Sequence, residues 1–445
     1  MICLAAKLKA RHEELPVLGN GPDGRAPSHC SAAFCGIRGV MDAPLKGIRV
    51  IDWTIWQQGP VATTMLADLG AEVIKIEERD KGDPGRAIFA VGGASATSKS
   101  GHNFYFEANN RHKQSLTLDL TKPEAREIVY KLAAKSDVFV QNFRKGVADR
   151  LGLGYKDLSA HNPKLIYASA SGYGPEGPDS GEPSFDYLAQ SRSGIMNIAG
   201  IESDEPVYLM GGIADQMGAI MLSYGVMTAL VARERLGIGQ EVNASHLGSM
   251  IALQGLNVSM RTIMGKEMPR TTRDDAYNPL WNHYKCADGE WLSLGMLQTD
   301  RYWSDFCKAL GIPEMITDDR FKDMRVRGKN HRELVSLLDR VFATKSRPEW
   351  MNILKHGGDF IYTVVNRIND LPNDEQVLAN EYVVDYDHPE LGKTKLAGVP
   401  VRFSKTPGNA RGRAPELGEN TELILTELLG YSWEDVARLQ ENGVI

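Results

Sequence analysis

Between Leu45 and Gly174 the chain alternates short unbroken apolar runs with longer stretches of helical periodicity. "GIRVIDWT" reads as a buried strand, and "AEVIKIE", "QSLTLDL", "DVFVQNF" and "KLIYASASGYG" as further strands. "PVATTMLADLG" opens on proline and closes on glycine, which predicts a helix ending at Gly70. "KPEAREIVYKLAAKSD" predicts a second helix, with Pro123 near its start, and two short helices are expected after "DVFVQNF". This alternation predicts an α/β fold with a doubly wound, mostly parallel sheet and ligands beyond the carboxyl ends of its strands.

From about Arg261 the pattern changes. "NHYKCADGEWLSLGM" predicts a hairpin turning at Asp288-Gly289, followed by charged amphipathic helices around Arg301–Leu310 and Arg332–Phe342. These make a second, smaller α+β domain, set at 260–358. "FIYTVV" and "TKLAGVPVRFS" read as strands, and the terminal "NTELILTELLGYSWEDVARLQENGVI" as two helices separated by Gly430 and Tyr431. These last pieces are expected to return to the first domain, which then spans 41–240 and 365–445. Residues 1–40 are rich in glycine and proline and read as a disordered leader or a wrongly chosen start.

The run "GGIADQMGAIMLSYGVMTALVA", Gly211–Ala232, is long enough to resemble a membrane span. Asp215 and Gln216 interrupt it and Arg233, Glu234 and Arg235 follow, so a buried core helix is expected and no membrane partner. Asp215 is the one charge inside this run. An aspartate at a helix start commonly caps a free backbone N–H. Here Gly211 and Gly212 precede it and allow a ligand to approach closely. The helix N-terminus favours its ionised form while the apolar surroundings strip it of water, a combination suited to covalent catalysis by a carboxylate.

Composition narrows the classes. The net charge of −6 gives no reason to expect nucleic acid. Cys3, Cys30, Cys35, Cys286 and Cys307 form no CxxC pair, which points to a reducing, cytoplasmic setting. Gly172, Gly174 and Gly177 match GxGxxG after a strand, but Pro178, Gly181 and Pro183 continue as loop, so a dinucleotide fingerprint is not expected. His102 and His112 find no further ligand at helical spacing, and no metal site is assigned. Arg111, Lys113, Arg144, Lys145 and Arg150 offer cations near strand ends, with a solvated surface as the alternative.

The ordered blocks "PLKGIRVIDWTIWQQGP", "LADLGAEVIKIE", "VQNFRKGVADRLGLGYKDLSAHNPKLIYASASGYGPEGP", "ADQMGAIMLSYGVMTALVARERLGIGQ" and "PLWNHYKCADGEWLSL" resemble the family III CoA-transferases, the group that includes formyl-CoA transferase and carnitine CoA-transferase. The resemblance runs from Pro44 to Ile445. It implies a Rossmann-like CoA-binding domain built from both chain ends and an interlocked dimer, homodimeric or, alternatively, heterodimeric. It implies transfer of CoA from an acyl-CoA thioester to a free carboxylic acid through acyl-aspartyl anhydride and aspartyl-CoA intermediates, with no permanently bound cofactor. The nucleophile falls on Asp215. The CoA contacts fall on Gln57, Gln58, Leu118, Asp119, Leu120, Thr121, Asn142, Phe143, Arg144 and Arg150, with Asp186, Gly211 and Gly212 close to the reacting acid.

Two departures matter. "GKEMPRTTRDDAYNPLWNHY" lacks the glycine run of the formyl-CoA transferase branch, which weakens an oxalate or formate assignment. A basic position after "KIE" is Glu78 here, with Arg79 as the candidate substitute. The alternatives are an α-methylacyl-CoA racemase of the same fold, whose histidine position is Phe185 here, and a non-catalytic subunit of a heteromeric transferase. The acids exchanged are not legible; Trp53, Trp56, Tyr208 and Met210 point equally to an aromatic acid and to core packing.

Overall fold

The structure, a computed structural model, describes residues 43–98, 101–200 and 205–445. The expected leader lies outside the described residues. Six strands, β1 (Arg49–Trp53), β2 (Glu72–Glu77), β3 (Lys113–Thr117), β4 (Val138–Gln141), β5 (Ile166–Ser171) and β6 (Gln240–Ser245), form one sheet in the order β3-β2-β1-β4-β5-β6. Every pairing in it is parallel. The order reverses between β1 and β4, so the loops leaving these two strands flank the crevice where doubly wound sheets bind ligands.

Successive residues of each strand feed opposite faces. Ile51, Phe139 and Tyr167 pack with the helix α1 (Pro123–Ala133), through Ile128, Val129 and Leu132, and with Ile424, Leu425, Val436 and Leu439 from the end of the chain. Their neighbours Val50, Val138 and Ile166 pack on the other face against Val61, Leu66, Leu222 and Val226. The last four of these belong to two helices, Gln58–Asp68 before β2 and Ile213–Leu236 before β6. The C-terminal segment therefore does pack on the first sheet.

Three readings need correction. "FIYTVV" supplies a strand, Tyr362–Val364, that pairs antiparallel with Trp291–Gly295 and completes a three-stranded sheet with Trp281–Lys285. It thus belongs with the smaller core around Tyr284, Phe306, Phe342 and Trp350, and the boundary at 358 falls too early. In "TKLAGVPVRFS" the strand ends at Ala397, because Gly398 lies against the Glu381 carbonyl and Pro400 has no N–H to continue a ladder. That strand pairs with Val383–His388 in a separate ribbon and joins neither sheet. Finally, Ile213–Leu236 is buried along one stripe only, Ala214, Gly218, Ala219, Leu222, Val226 and Ala229. Ile220, Tyr224 and Val231 on its other face are exposed in this chain. Among the described residues no helix is long and apolar enough to cross a membrane.

Buried charge fixes the loop that leaves β1. The Asp52 carboxylate accepts from Lys113 Nζ at 2.8 Å and Thr63 Oγ1 at 2.7 Å, and also from the Thr54 hydroxyl. Lys75 Nζ donates to the Thr54 carbonyl at 2.7 Å and pairs with Asp83 at 2.9 Å. Both lysine ammonium groups are fully buried. Burial alone would raise the Asp52 carboxyl, but the charges of Lys113 and Lys75 and their hydrogen bonds hold it down at about 2. Burial outweighs the Asp52 charge at Lys113 and pulls that ammonium down to about 8.

Asp52→Asn leaves Lys113 buried without its counter-charge and is expected to cost about 3–5 kcal/mol in urea unfolding at neutral pH. The folded carboxyl titrates below its ordinary value of 3.8, so its contribution is complete above that pH and is lost as pH falls toward 2. Unfolding free energy measured through that window should fall more steeply in the wild type than in Asp52→Asn.

Candidate active site

Four elements meet at the carboxyl edge of the sheet. The loop after β1 runs Thr54–Gln57. The Asn142 side chain clamps it, accepting from the Ile55 N–H at 2.9 Å and donating to the Ile55 carbonyl at 2.7 Å. Trp56 adopts φ +67, unusual for a residue with a side chain, and Asp83 Oδ1 accepts its N–H at 3.1 Å. Gln57 and Gln58 then lie over the start of the Ile213–Leu236 helix. Any Cβ at Gly212 would meet the Gln57 amide at 2.6 Å, and one at Gly218 would meet the Gln58 amide at 2.6 Å. Gly211 and Gly212 have φ of +96 and +71, the left-handed region that glycine enters without strain.

Asp215 sits in the first turn of that helix, behind an N-cap glycine that offers no side chain. Its own carboxylate does not cap. Asp186, the first residue of the helix Asp186–Ser193, does so from outside: its Oδ1 accepts the N–H of Ala214 at 2.6 Å and of Asp215 at 3.3 Å. Gln190 Nε2 and the Tyr208 hydroxyl hold the other oxygen of Asp186 at 2.7 and 2.8 Å. Burial, that hydrogen bond and the charges of Asp186 and Asp215 push the Tyr208 phenol up to about 12. Asp215 itself meets His246, with Nε2 at 2.9 Å from Oδ1. His246 opens the helix His246–Leu253 directly after β6.

Two adjoining cavities run past these groups. One, about 550 Å³, is lined by Asp215, His246, Gln58, Asn142, Phe143, Arg144 and Arg150, among others. The other, about 1050 Å³, is lined by Leu118, Asp119, Leu120, Thr121, Trp53, Lys81 and Phe143, among others. Ile55, Trp56, Phe143 and Val147 belong to both. The residues expected to touch CoA thus divide between two connected chambers. Gln57, Gly211, Gly212 and Asp186 line neither and shape the site from behind. Asn142 lines the smaller chamber, but both ends of its amide hold the Ile55 backbone. The side chain of Gln58, by contrast, keeps a buried Nε2 without a partner among the described residues.

Arg79, the substitute for the basic position after "KIE", pairs with Asp80 and lies outside the cavity wall, which carries Lys81 instead. Tyr105 was not singled out by sequence, yet its phenol is raised by burial and by the charges of Asp215, Asp83 and Asp186. His102, Glu107 and His388 lie close enough together to share an ion. However, His388 Nδ1 accepts the N–H groups of Glu390 and Leu391, so its Nε2 carries the proton and donates to Glu107. His388 and Glu107 thus form a hydrogen-bonded pair, and His102 Nδ1 lies 3.2 Å from the Glu390 carboxylate.

Residues 45–421 match the model of CoA-transferase family III. The chain belongs to that family. It is 33% identical over 402 residues to succinyl-CoA:glutarate CoA-transferase of Mus musculus, covering 90% of each chain. It is 31% identical to succinyl-CoA--D-citramalate CoA-transferase of Chloroflexus aurantiacus, over 90% of this chain and 98% of that one. A CAIB/BAIF family protein from Brucella suis shares the fold with a TM-score of 0.76 and 28% identity, covering 87% of this chain and all of the other. The protein is an acyl-CoA:carboxylate CoA-transferase of family III, which uses a CoA thioester and a carboxylate as substrates; neither the racemase nor the non-catalytic subunit is favoured.

In this transferase the capping load rests on Asp186 and not on Asp215. Asp186→Ala is therefore expected to cost about 1–2 kcal/mol in thermal unfolding, the size of a lost helix cap. Asp215→Ala removes no backbone acceptor; its cost comes from the buried His246 Nε2–H, which loses its partner, and is expected at about 1–3 kcal/mol.

Proposed function

We propose that this transferase works through covalent attachment of the donor acyl group, and then of CoA, to Asp215. The observation that carries the reading is the division of labour at the helix start. Asp186 meets the backbone donors, which leaves the Asp215 carboxylate facing the chamber. An oxygen of Asp215 attacks the thioester carbonyl carbon. The C–S bond breaks, its electron pair leaves on sulfur as CoA thiolate, and an acyl-aspartyl anhydride remains. The thiolate then attacks the aspartyl carbonyl and expels the donor acid. The acceptor carboxylate displaces CoA from the resulting aspartyl-CoA thioester, and the sequence runs back to release the new acyl-CoA. One thioester replaces another, so no further energy source is required. Trp56, Phe143 and Phe185 at the chamber wall keep water from the anhydride.

Arg144 and Arg150 support the CoA assignment. Among the described residues neither guanidinium has a side-chain hydrogen bond or an ion pair, and both line the chamber beside Asp215. Phosphate groups of CoA fit such unpartnered forks. We take succinyl-CoA as the first donor to test, because two similar transferases are named for it. The protein is proposed to act as a homodimer in the cytoplasm. Tyr224 and Val231 on the helix Ile213–Leu236, and Leu256 and Ile263 on the helix Gly255–Met264, are exposed apolar side chains that a second copy would cover. Burial raises the free thiols Cys286 and Cys307 to about 11 and about 12, which suits a reducing compartment.

A panel of CoA thioesters against organic acids, read by mass, should reveal CoA transfer that Asp215→Ala abolishes. Retained turnover in that variant would refute the covalent reading. Arg144→Ala is expected to raise KM for the thioester about tenfold or more while leaving kcat within a few-fold, because phosphate contacts bind ground and transition states alike. Light scattering on the purified chain should give twice the monomer mass.

A further inference from the structure

The reaction proposed above transfers no proton, yet a histidine is seated on the nucleophile. His246 is 6% exposed, and Asp215 is the one hydrogen-bond partner of its ring among the described residues. Its Nδ1 is buried and unpartnered. Other histidines in the chain are tied to backbone: His388 Nδ1 to two N–H groups, His331 Nδ1 to the Gly328 carbonyl, and His356 Nδ1 to the Asn352 carbonyl. His246 is anchored to no such group. Its position is set by the turn from β6, where Ser245 caps the helix that it opens. A carboxylate oxygen has no proton to give, so Nε2–H donates and Asp215 Oδ1 accepts.

We propose that His246 is a catalytic oxyanion donor for the aspartyl carbonyl, a role that rests on Asp215 being the nucleophile. The two carboxylate oxygens then have separate fates. Oδ1 is held by Nε2–H, so Oδ2 makes the attack and becomes the bridging oxygen of the anhydride. Oδ1 becomes the carbonyl oxygen of the aspartyl half. When the thiolate adds to Cγ, the C–S bond forms and the C=O electron pair moves onto Oδ1, where Nε2–H receives it. The tetrahedral intermediate collapses as the Cγ–Oδ2 bond breaks, and the donor acid leaves with Oδ2 and that electron pair. The same contact serves when the acceptor carboxylate adds to the aspartyl-CoA thioester. His246 thereby favours thiolate attack on the aspartyl carbonyl over return to the acyl carbonyl, which it does not touch. A donor aimed at a developing oxyanion in a water-poor chamber is worth about 10²–10³ in kcat.

The test compares His246→Leu, which removes the donor, with His246→Gln, whose amide Nε2–H takes the position of the imidazole Nε2–H. Both are first checked for a wild-type melting curve. Each purified chain is mixed with succinyl-CoA, or with the best donor of the panel above, without an acceptor acid. The reaction is quenched on the millisecond scale and read by intact mass, with a parallel quench into hydroxylamine. The wild type should accumulate a thioester of CoA on Asp215. His246→Leu should form it about 100-fold more slowly, with kcat reduced in step and KM for the thioester within a few-fold, while hydroxylamine still converts Asp215 to the hydroxamate through the anhydride. His246→Gln should recover to within about tenfold of the wild type. A CoA adduct formed at the wild-type rate in His246→Leu overturns the proposal. So does equal loss in the Leu and Gln variants, or loss of the hydroxamate together with the adduct. Failure of the underlying reading looks different: no adduct on Asp215 in the wild type, and turnover retained in Asp215→Ala.

Discussion

The carboxylate of Asp186 takes two backbone N–H groups that the start of a 24-residue helix leaves unsatisfied, and the geometry of the site depends on that substitution. A helix beginning after two glycines has no side chain of its own to cap it. With the cap supplied from a neighbouring helix, Asp215 keeps the positive field of the helix end while its oxygens point elsewhere. Asp186 can hold this position because Gln190 and Tyr208 satisfy its second oxygen.

A second constraint shapes the opposite wall. The loop after β1 has to cross the crevice between β1 and β4 with Trp56 at positive φ, a costly conformation for a bulky residue. Asp83, Lys75 and Asn142 each bind a backbone group of that loop, and Asp83 and Lys75 form a buried ion pair. Removing one member of such a pair exposes the other to an uncompensated burial cost, so the network tolerates little change. The return is a rim shared by the two chambers, with the Gln57 and Gln58 amides laid on Gly212 and Gly218 at the start of the helix Ile213–Leu236.

These two constraints meet at one edge of the sheet. Arg144 lies in the loop after β4 and Arg150 ends the short helix Val147–Arg150 beyond it, at the edge where a parallel sheet presents anion-binding groups. Asp215 and His246 come from the beginnings of two helices on the far side of the sheet order. Bringing them together takes the whole width from β1 to β6, and no local segment carries the site.

Much of the molecule was legible from its residues alone. Unbroken apolar runs such as "VIDW" and "VFV" belong to strands covered on both faces, which only a doubly wound parallel sheet provides, and helix-start prolines and end glycines marked the crossovers. Asp215 stood out as a lone charge in an apolar run. What pattern did not carry is pairing over long separations. The strand Tyr362–Val364 looks alike whichever sheet it joins, because three residues hold no information about their partner. Asp186 was expected close to the reacting acid, and only tertiary contact shows its Oδ1 at 2.6 Å from the Ala214 nitrogen. His246 was passed over because nothing within its own segment distinguishes a core histidine from one facing a carboxylate 31 residues earlier. Sequence determined most of the elements and singled out Asp215, since both follow from local periodicity and local charge. Tertiary structure decided what each polar atom bonds to, since hydrogen bonds depend on position in space and not on order along the chain.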